Sequence, residues 1–350
     1  MTPVARPHRT IRVLVAEDSP TTRAMFVDLF KNAQGFSVAG EAQNGAEAIE
    51  QAIALAPDLI VMDVHMPIVD GLDATKEIMR QAPTPILMVS ASSNVADVSL
   101  GLSATQAGAL MLLEKPTRDR DELGSFLSMA RAMSEVKVVR RWGRATGLPV
   151  NAIPVLPAVA RPARVIAIGT STGGPAALHR ILIDLPRDFP APIVVVQHMA
   201  RGFIDGLARW LSANVAVKVV VAADGDPLLP GTVYLGPDNQ HVGVVDGRIA
   251  LNNSAPQNGF RPSIDHLFDS CARAYGPSAV AVILTGMGQD GVEGLQTIKA
   301  RGGRVLAQDE ESSVVFGMAN VAIERGLVDE ISPLDLIGRR LKDLVELVPE

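Results

Sequence analysis

The sequence predicts an α/β protein made of two doubly wound parallel-sheet domains, and three observations carry that prediction. Short β-rich runs alternate with longer helical stretches along most of the chain, the pattern of a parallel sheet covered by helices. The length of 350 residues exceeds one ordinary compact core and suits two. A Gly-, Pro- and Ala-rich stretch, TGLPVNAIPVLPAVARP, breaks the alternation near the middle.

The first series of strands is Ile11 to Ala16, Ser37 to Gly40, Leu59 to Met62, Pro85 to Ser90 and Ala109 to Leu113, giving a five-stranded domain over residues 10–127. Residues 128–162, with a basic helical piece (Lys137, Arg140, Arg141, Arg144) ahead of the Pro-rich run, read as an interdomain linker. The second series fills residues 163–350: Arg164 to Ile168, Pro192 to Gln197, Val217 to Ala222, Thr232 to Leu235, Ala279 to Thr285 and Arg304 to Ala307. Between His241 and Leu251 the dipeptide Asp246-Gly247 separates two β-rich runs, so this larger, mainly parallel domain is expected to hold one antiparallel hairpin. The chain has no internal repeat.

Hydrophobic residues make up 47% of the chain and charged residues 20%, which suits packed structure and argues against disorder. A net charge of −6 gives nucleic acid no general reason to bind. The single cysteine, Cys271, excludes an internal disulfide framework and a cysteine-based zinc cluster, and it sits in an apolar helical pattern as a core residue. The opening MTPVARPHRT lacks the apolar segment of a secretory signal, and the apolar runs fall far short of the ~20 residues that span a bilayer. The expectation is therefore a cytoplasmic protein with no direct membrane insertion.

Functional groups of open α/β sheets gather at the carboxyl ends of the strands. In the first domain those positions hold Glu17 and Asp18 after strand one, Asp63 after strand three, Ser90 after strand four and Lys115 after strand five. Converging carboxylates repel one another unless a divalent cation neutralises them, and hard oxygen ligands favour Mg²⁺. A phosphoryl group on one of them would need the cation, a hydroxyl and an ammonium to offset its charge. Singly, each residue also reads as a helix cap or a solvated turn; together, with Asp63-Val64-His65-Met66-Pro67-Ile68-Val69-Asp70-Gly71, they resemble the two-component response-regulator receiver family. The resemblance implies a flavodoxin-like fold in which Asp63 accepts the phosphoryl group. It also implies that Glu17, Asp18, Asp63 and the backbone carbonyl of His65 hold Mg²⁺, while Ser90 and Lys115 sense the phosphoryl group. Receivers commonly carry an aromatic switch residue three positions before the lysine; this chain has Leu112 there. The side chain of His65 is expected to be a neutral bystander.

In the second domain, strand Arg164 to Ile168 runs into Gly169-Thr170-Ser171-Thr172-Gly173-Gly174-Pro175 and then a helical pattern. That is the G-x-S-x-G nucleophile elbow, with Ser171 at its apex and helix amides beside it for a developing oxyanion. Gly-Ser-Thr loops before helices also cradle phosphates, but the full G-x-G-x-x-G spacing and a P-loop lysine are missing. A serine needs a base, and the base an orienting carboxylate. His8 lies in the terminus, His65 in the first domain, His179 past the elbow, and His241 and His266 read as structural; His198 alone ends a buried parallel strand. The strand Ala279 to Leu284 delivers Asp290 to the same sheet edge in Thr285-Gly286-Met287-Gly288-Gln289-Asp290-Gly291, although Asp290 also reads as an acid capping its glycine-rich loop.

The order Ser171, His198, Asp290 differs from the Ser, acid, His order of α/β-hydrolases. Through the elbow, Gln197-His198-Met199, Arg261-Pro262-Ser263-Ile264-Asp265, the Thr285 to Gly291 loop, Ala307-Gln308-Asp309-Glu310 and Gly317-Met318, this half resembles the catalytic domain of chemotaxis protein-glutamate methylesterases. Ala319 stands where that family usually has proline. The resemblance implies demethylation of receptor glutamate methyl esters and deamidation of glutamines by Ser171, His198 and Asp290, with oxyanion donors sought near Thr172 and Met287. It implies methyl-accepting chemoreceptors as substrates, a chemotaxis histidine kinase as phosphodonor, no cofactor in the catalytic domain, and a receiver that covers the active-site cleft until phosphorylated. Two other readings compete with this one. A DNA-binding regulator is disfavoured because the second half is far larger than a helix-turn-helix module, and a catalytically idle receptor-docking protein would have lost the hydroxyl, imidazole and carboxylate set.

Overall fold

The computed structural model of the chain describes residues 10–91, 95–117, 119–136 and 162–345. The chain divides into two compact units, Met1–Trp142 and Gly143–Glu350.

In the first unit five parallel strands, β1 (Ile11–Ala16), β2 (Phe36–Ala42), β3 (Leu59–Asp63), β4 (Ile86–Ser90) and β5 (Met111–Glu114), lie in the order β2-β1-β3-β4-β5. Helices α1 (Pro20–Asn32), α2 (Gly45–Leu55), α3 (Gly71–Gln81), α4 (Val95–Gln106) and α5 (Arg120–Ser134) connect them. The chain steps first from β1 to one edge and then back across to β3, so the strand order reverses between β1 and β3. That is the flavodoxin-like switch point, beyond whose carboxyl ends a crevice opens. The strand runs are apolar on both faces because helices cover both. Side-chain caps start the helices where the sequence offers them: Ser19 accepts the Thr22 N–H, Asn44 the Glu47 N–H and Asp70 the Asp73 N–H. Phe126, Ala130 and Met133 of α5 are buried, so residues 128–134, expected in the linker, continue this helix instead; their apolar spacing packs them into the core. Residues 137–161 of the expected linker lie outside the described residues.

The second unit is a seven-stranded, all-parallel sheet in the order β14-β13-β12-β6-β7-β9-β8. Its strands are β6 (Val165–Thr170), β7 (Ile193–Gln197), β8 (Lys218–Val221), β9 (Thr232–Leu235), β12 (Ala279–Ile283), β13 (Arg304–Gln308) and β14 (Glu330–Ser332). The hairpin β10 (His241–Val245) and β11 (Arg248–Asn252) stands as a separate antiparallel pair, turning at Asp246 and Gly247 with φ of 49° and 73°. Helices α6 (Gly174–Leu182), α7 (Ile204–Asn214), α8 (Ile264–Tyr275), α9 (Val292–Ala300), α10 (Met318–Glu324) and α11 (Leu334–Val345) complete it. Strand β14 was not foreseen, since three residues including Glu330 and Ser332 carry no apolar pattern; it forms by pairing with β13, and Arg340 holds the Glu330 carboxylate.

Helix α8 is the apolar element that seats the site. Ile264, Leu267, Phe268 and Cys271 are fully buried against the sheet. The Cys271 thiol is pushed up to about 12 by burial, which makes it a packing residue. No helix among the described residues is long and apolar enough to cross a membrane.

Candidate active site

In the first unit Glu17, Asp18 and Asp63 bring carboxylate oxygens within 4.8 Å of one another at the switch point. Lys115 reaches into the same cluster, its Nζ 2.8 Å from Glu17 Oε2 and 2.9 Å from Asp63 Oδ2. Burial, assisted by the neighbouring Asp63 and opposed by Lys115, pushes the Glu17 carboxyl up to about 7. Burial also works against the Lys115 ammonium, yet its bonds to Glu17 and Asp63 outweigh that and hold its pKa above the ordinary lysine range. Ser90 is buried at the end of β4, and its carbonyl accepts the Lys115 N–H at 2.8 Å. The His65 imidazole turns to α4, where its Nε2 lies 2.6 Å from Asp97 Oδ1. Leu112 is buried with its methyls against Gly101 of α4, where they would press within 2.7 Å of a Cβ.

In the second unit β6 lies between β12 and β7, with Ile168 opposite Val282 on one side and Thr170 opposite Gln197 on the other. Ser171 is the residue after β6, His198 the residue after β7, and Asp290 lies in the loop leaving β12. All three therefore meet the same sheet edge. The Ser171 N–H donates to the Thr285 carbonyl (3.1 Å) and the His198 N–H to the Thr170 carbonyl (3.0 Å), tying both neighbouring loops to the elbow. The Gln197 carboxamide adds a double tie, donating to the carbonyls of Ser171 and His198, each at 2.8 Å. Within the elbow Gly173 has a φ of 79°, and a Cβ on Gly174 would lie 2.0 Å from Gln197 Oε1. Both positions demand glycine.

His198 Nε2 lies 3.0 Å from Asp290 Oδ2, and both side chains are buried. Among the described residues neither imidazole nitrogen has a well-aligned hydrogen-bond partner. Asp290 is also the acid at the start of α8: its Oδ1 accepts from Ser263 Oγ (2.8 Å) and the Asp265 N–H (3.2 Å), and its Oδ2 from the Ile264 N–H (2.7 Å). It thus caps a helix N-terminus rather than its own glycine loop. Burial alone would raise its pKa; the His198 contact and these donors outweigh burial and hold the carboxyl below the usual range. Next to it, burial pushes the Asp265 carboxyl up to about 6, with the Asp290 charge adding to the rise.

The two oxyanion candidates sit on either side. Thr172 is buried, with a hydroxyl that has no partner among the described residues and a carbonyl that accepts from Thr285 Oγ1 at 2.8 Å. Met287 is exposed beside Gly286, whose own N–H goes to the Val315 carbonyl. The other histidines have different settings: His179 packs on Trp210, His241 accepts the Ser263 N–H, and His266 meets Asn252. An imidazole on a buried carboxylate beside a half-buried elbow serine is a base and nucleophile set for acyl transfer.

Family models give the same division. The CheB methylesterase model matches residues 166–341. The response regulator receiver domain model matches residues 13–127. A protein-glutamate methylesterase/protein-glutamine glutaminase of Myxococcus xanthus is 48% identical over 341 residues, covering 95% of this chain and 96% of that protein. The chain belongs to the CheB methylesterase family. A relative of the same name from Nitrosospira multiformis is 43% identical over 96% of this chain and 97% of its own length. Among solved structures, the Thermotoga maritima CheB methylesterase catalytic domain matches at 43% identity with a TM-score of 0.51, covering 52% of this chain and 99% of that one.

Phe260, whose ring stacks on His198 with centroids 3.9 Å apart and planes 2° apart, escaped the sequence reading, and Gln197, Ser263 and Asp265 entered it only as motif residues without a role at the site. Asn258-Gly259, a strong two-residue turn signal, marks the loop that carries Phe260; the bonds made by Gln197 and Ser263 leave no local pattern.

Asp265 sets an expected pH dependence. Its folded-state pKa is raised, so the folded protein binds the proton more tightly than the unfolded chain, and ionisation costs stability as pH rises from about 4 through about 6. Asp265→Asn lacks that cost. Denaturant unfolding across this range should show the variant gaining on wild type as pH rises; a constant gap would contradict it.

Proposed function

We propose that the chain is a phosphorylation-regulated serine hydrolase that removes methyl esters from receptor glutamates, releasing methanol, and deamidates receptor glutamines in chemotactic adaptation. The observation that carries this reading is the buried His198–Asp290 pair on strand ends adjacent to Ser171. As His198 Nδ1 takes the hydroxyl proton, Ser171 Oγ attacks the γ-carbonyl carbon, and the tetrahedral oxyanion faces backbone donors near Thr172 and Met287. His198 returns the proton to the leaving oxygen, methanol departs, and water cleaves the glutamyl-serine ester by the same steps in reverse roles. With glutamine, ammonia leaves once protonated. Asp290, kept ionised by its His198 contact and the donors at the start of α8, steadies the imidazolium.

In the receiver Asp63 accepts the phosphoryl group from a histidine kinase, and Ser90 and Lys115 bind it. The convergent oxygens of Glu17, Asp18 and Asp63 suit a hard divalent cation. These residues and the His65 carbonyl would hold Mg²⁺, which supplies charge neutralisation for phosphoryl transfer. The substrates are methyl-accepting chemoreceptors met in the cytoplasm.

Three outcomes are expected. Ser171→Ala should cut methanol release from methylated receptors by about 10⁴-fold or more, whereas an idle docking protein would show equal, negligible rates in both forms. Removal of the first ~150 residues should raise basal esterase activity if the receiver occludes the site; an unchanged or lower rate from a folded fragment would contradict occlusion. Because Glu17 holds its proton up to about 7, calorimetric Mg²⁺ affinity should weaken roughly tenfold per pH unit below that point, and pH-independent binding would rule out Glu17 as a ligand.

A further inference from the structure

The geometry points to Phe260 as a positioning residue for ester cleavage: its ring fixes the imidazole plane of His198 while Nε2 stays on Asp290 and Nδ1 is left for the nucleophile's proton. This rests on the reading of His198 as the base. The rings are stacked face to face, 3.9 Å between centroids and 2° from parallel. The Asp290 contact holds one nitrogen at a point and leaves the ring free to rock about its bond to Cβ. A flat ring laid along one face removes that freedom, because rocking would lift one edge off the phenyl or drive the other into it.

The loop bearing Phe260 is built to hold still. Gln257 and Phe260 exchange both backbone hydrogen bonds (3.0 and 2.8 Å) around Asn258 and Gly259, whose φ values of 51° and 84° make a two-residue turn with both central residues left-handed. Asn258 Nδ2 donates to Asp265 Oδ2 at 2.7 Å, tying the turn to the helix start that Asp290 caps. On the other flank, Arg261 donates to Asn239 Oδ1 and to the carbonyls of Asn253 and Ser254. These polar ties place the turn without help from the phenyl ring, which is only half-buried and stands outside the hydrophobic core around α8. Among the described aromatic rings the ring's stacking partner is the imidazole.

The test is steady-state methanol release from methylated receptors by the full-length protein with Phe260→Leu, Phe260→Tyr and Phe260→Trp, alongside His198→Ala and thermal unfolding of each. Leucine fills space without a flat face, so it should lower kcat by about 10-fold or more with KM within about 2-fold and the melting temperature unchanged, since small misplacements of a catalytic group cost that much. Tyrosine and tryptophan keep the stack and should stay within about 3-fold of wild type. A leucine variant with wild-type kcat would overturn the proposal, as would a raised KM at unchanged kcat, which marks a substrate contact. Loss of activity in all three variants, matched by a lower melting temperature, would assign Phe260 to structure alone and also overturn it. Failure of the parent reading is separately visible: His198→Ala would then retain activity.

Discussion

The parallel register of β12, β6 and β7 is the constraint on which the catalytic half depends. Once Thr170 pairs with Gln197 and Ile283 with Gly169, the next residues out of those strands are forced to one edge, wherever they lie in sequence. Ser171, His198 and Asp290 need no long loops to find one another. Strand pairing of buried Val, Ile and Ala residues supplies the free energy, and the polar set sits at the end of a rigid platform.

The second layer is the start of α8. A helix leaves its first amides without internal partners, and here Asp290 accepts two of them, from Ile264 and Asp265, together with the Ser263 hydroxyl. The helix is held there by Phe268, Leu267 and Cys271 in the core. Apolar packing thus determines where the amides point, and the amides join the His198 contact in keeping the carboxyl ionised. The raised Asp265 pKa is the counterpart of this arrangement: two carboxyls share one helix start, and the one with fewer donors takes the penalty.

Much of this was legible because the groups sit where strands end. The apolar runs before Ser171, His198, Asp63 and Ser90 named the sheet edge directly, and Asp246-Gly247 announced the hairpin. What was not legible depends on contacts between distant residues. Ser263 meets Asp290 across 27 positions, and nothing in either neighbourhood calls for the other. Strand β14 exists because β13 offers it an edge, and α5 runs on through residue 134 because Ala130 and Met133 find a core. The His65 contact with Asp97 depends on where α4 is placed, 32 positions away.

The two units place carboxylates at the same kind of sheet edge and manage the charge differently. Asp290 is surrounded by three donors from the α8 start, with His198 Nε2 3.0 Å away, and its carboxyl is held low. Glu17, Asp18 and Asp63 face mainly one another and the single ammonium of Lys115, and Glu17 answers by holding its proton. The first cluster is therefore electrostatically complete within its own fold, which suits a base that must work repeatedly in one geometry. The second is left responsive to added charge, positive from a cation or negative from a phosphoryl group. Leu112 constrains how a response there can travel: already buried against Gly101, it has neither a hydroxyl nor an exposed ring to swing inward.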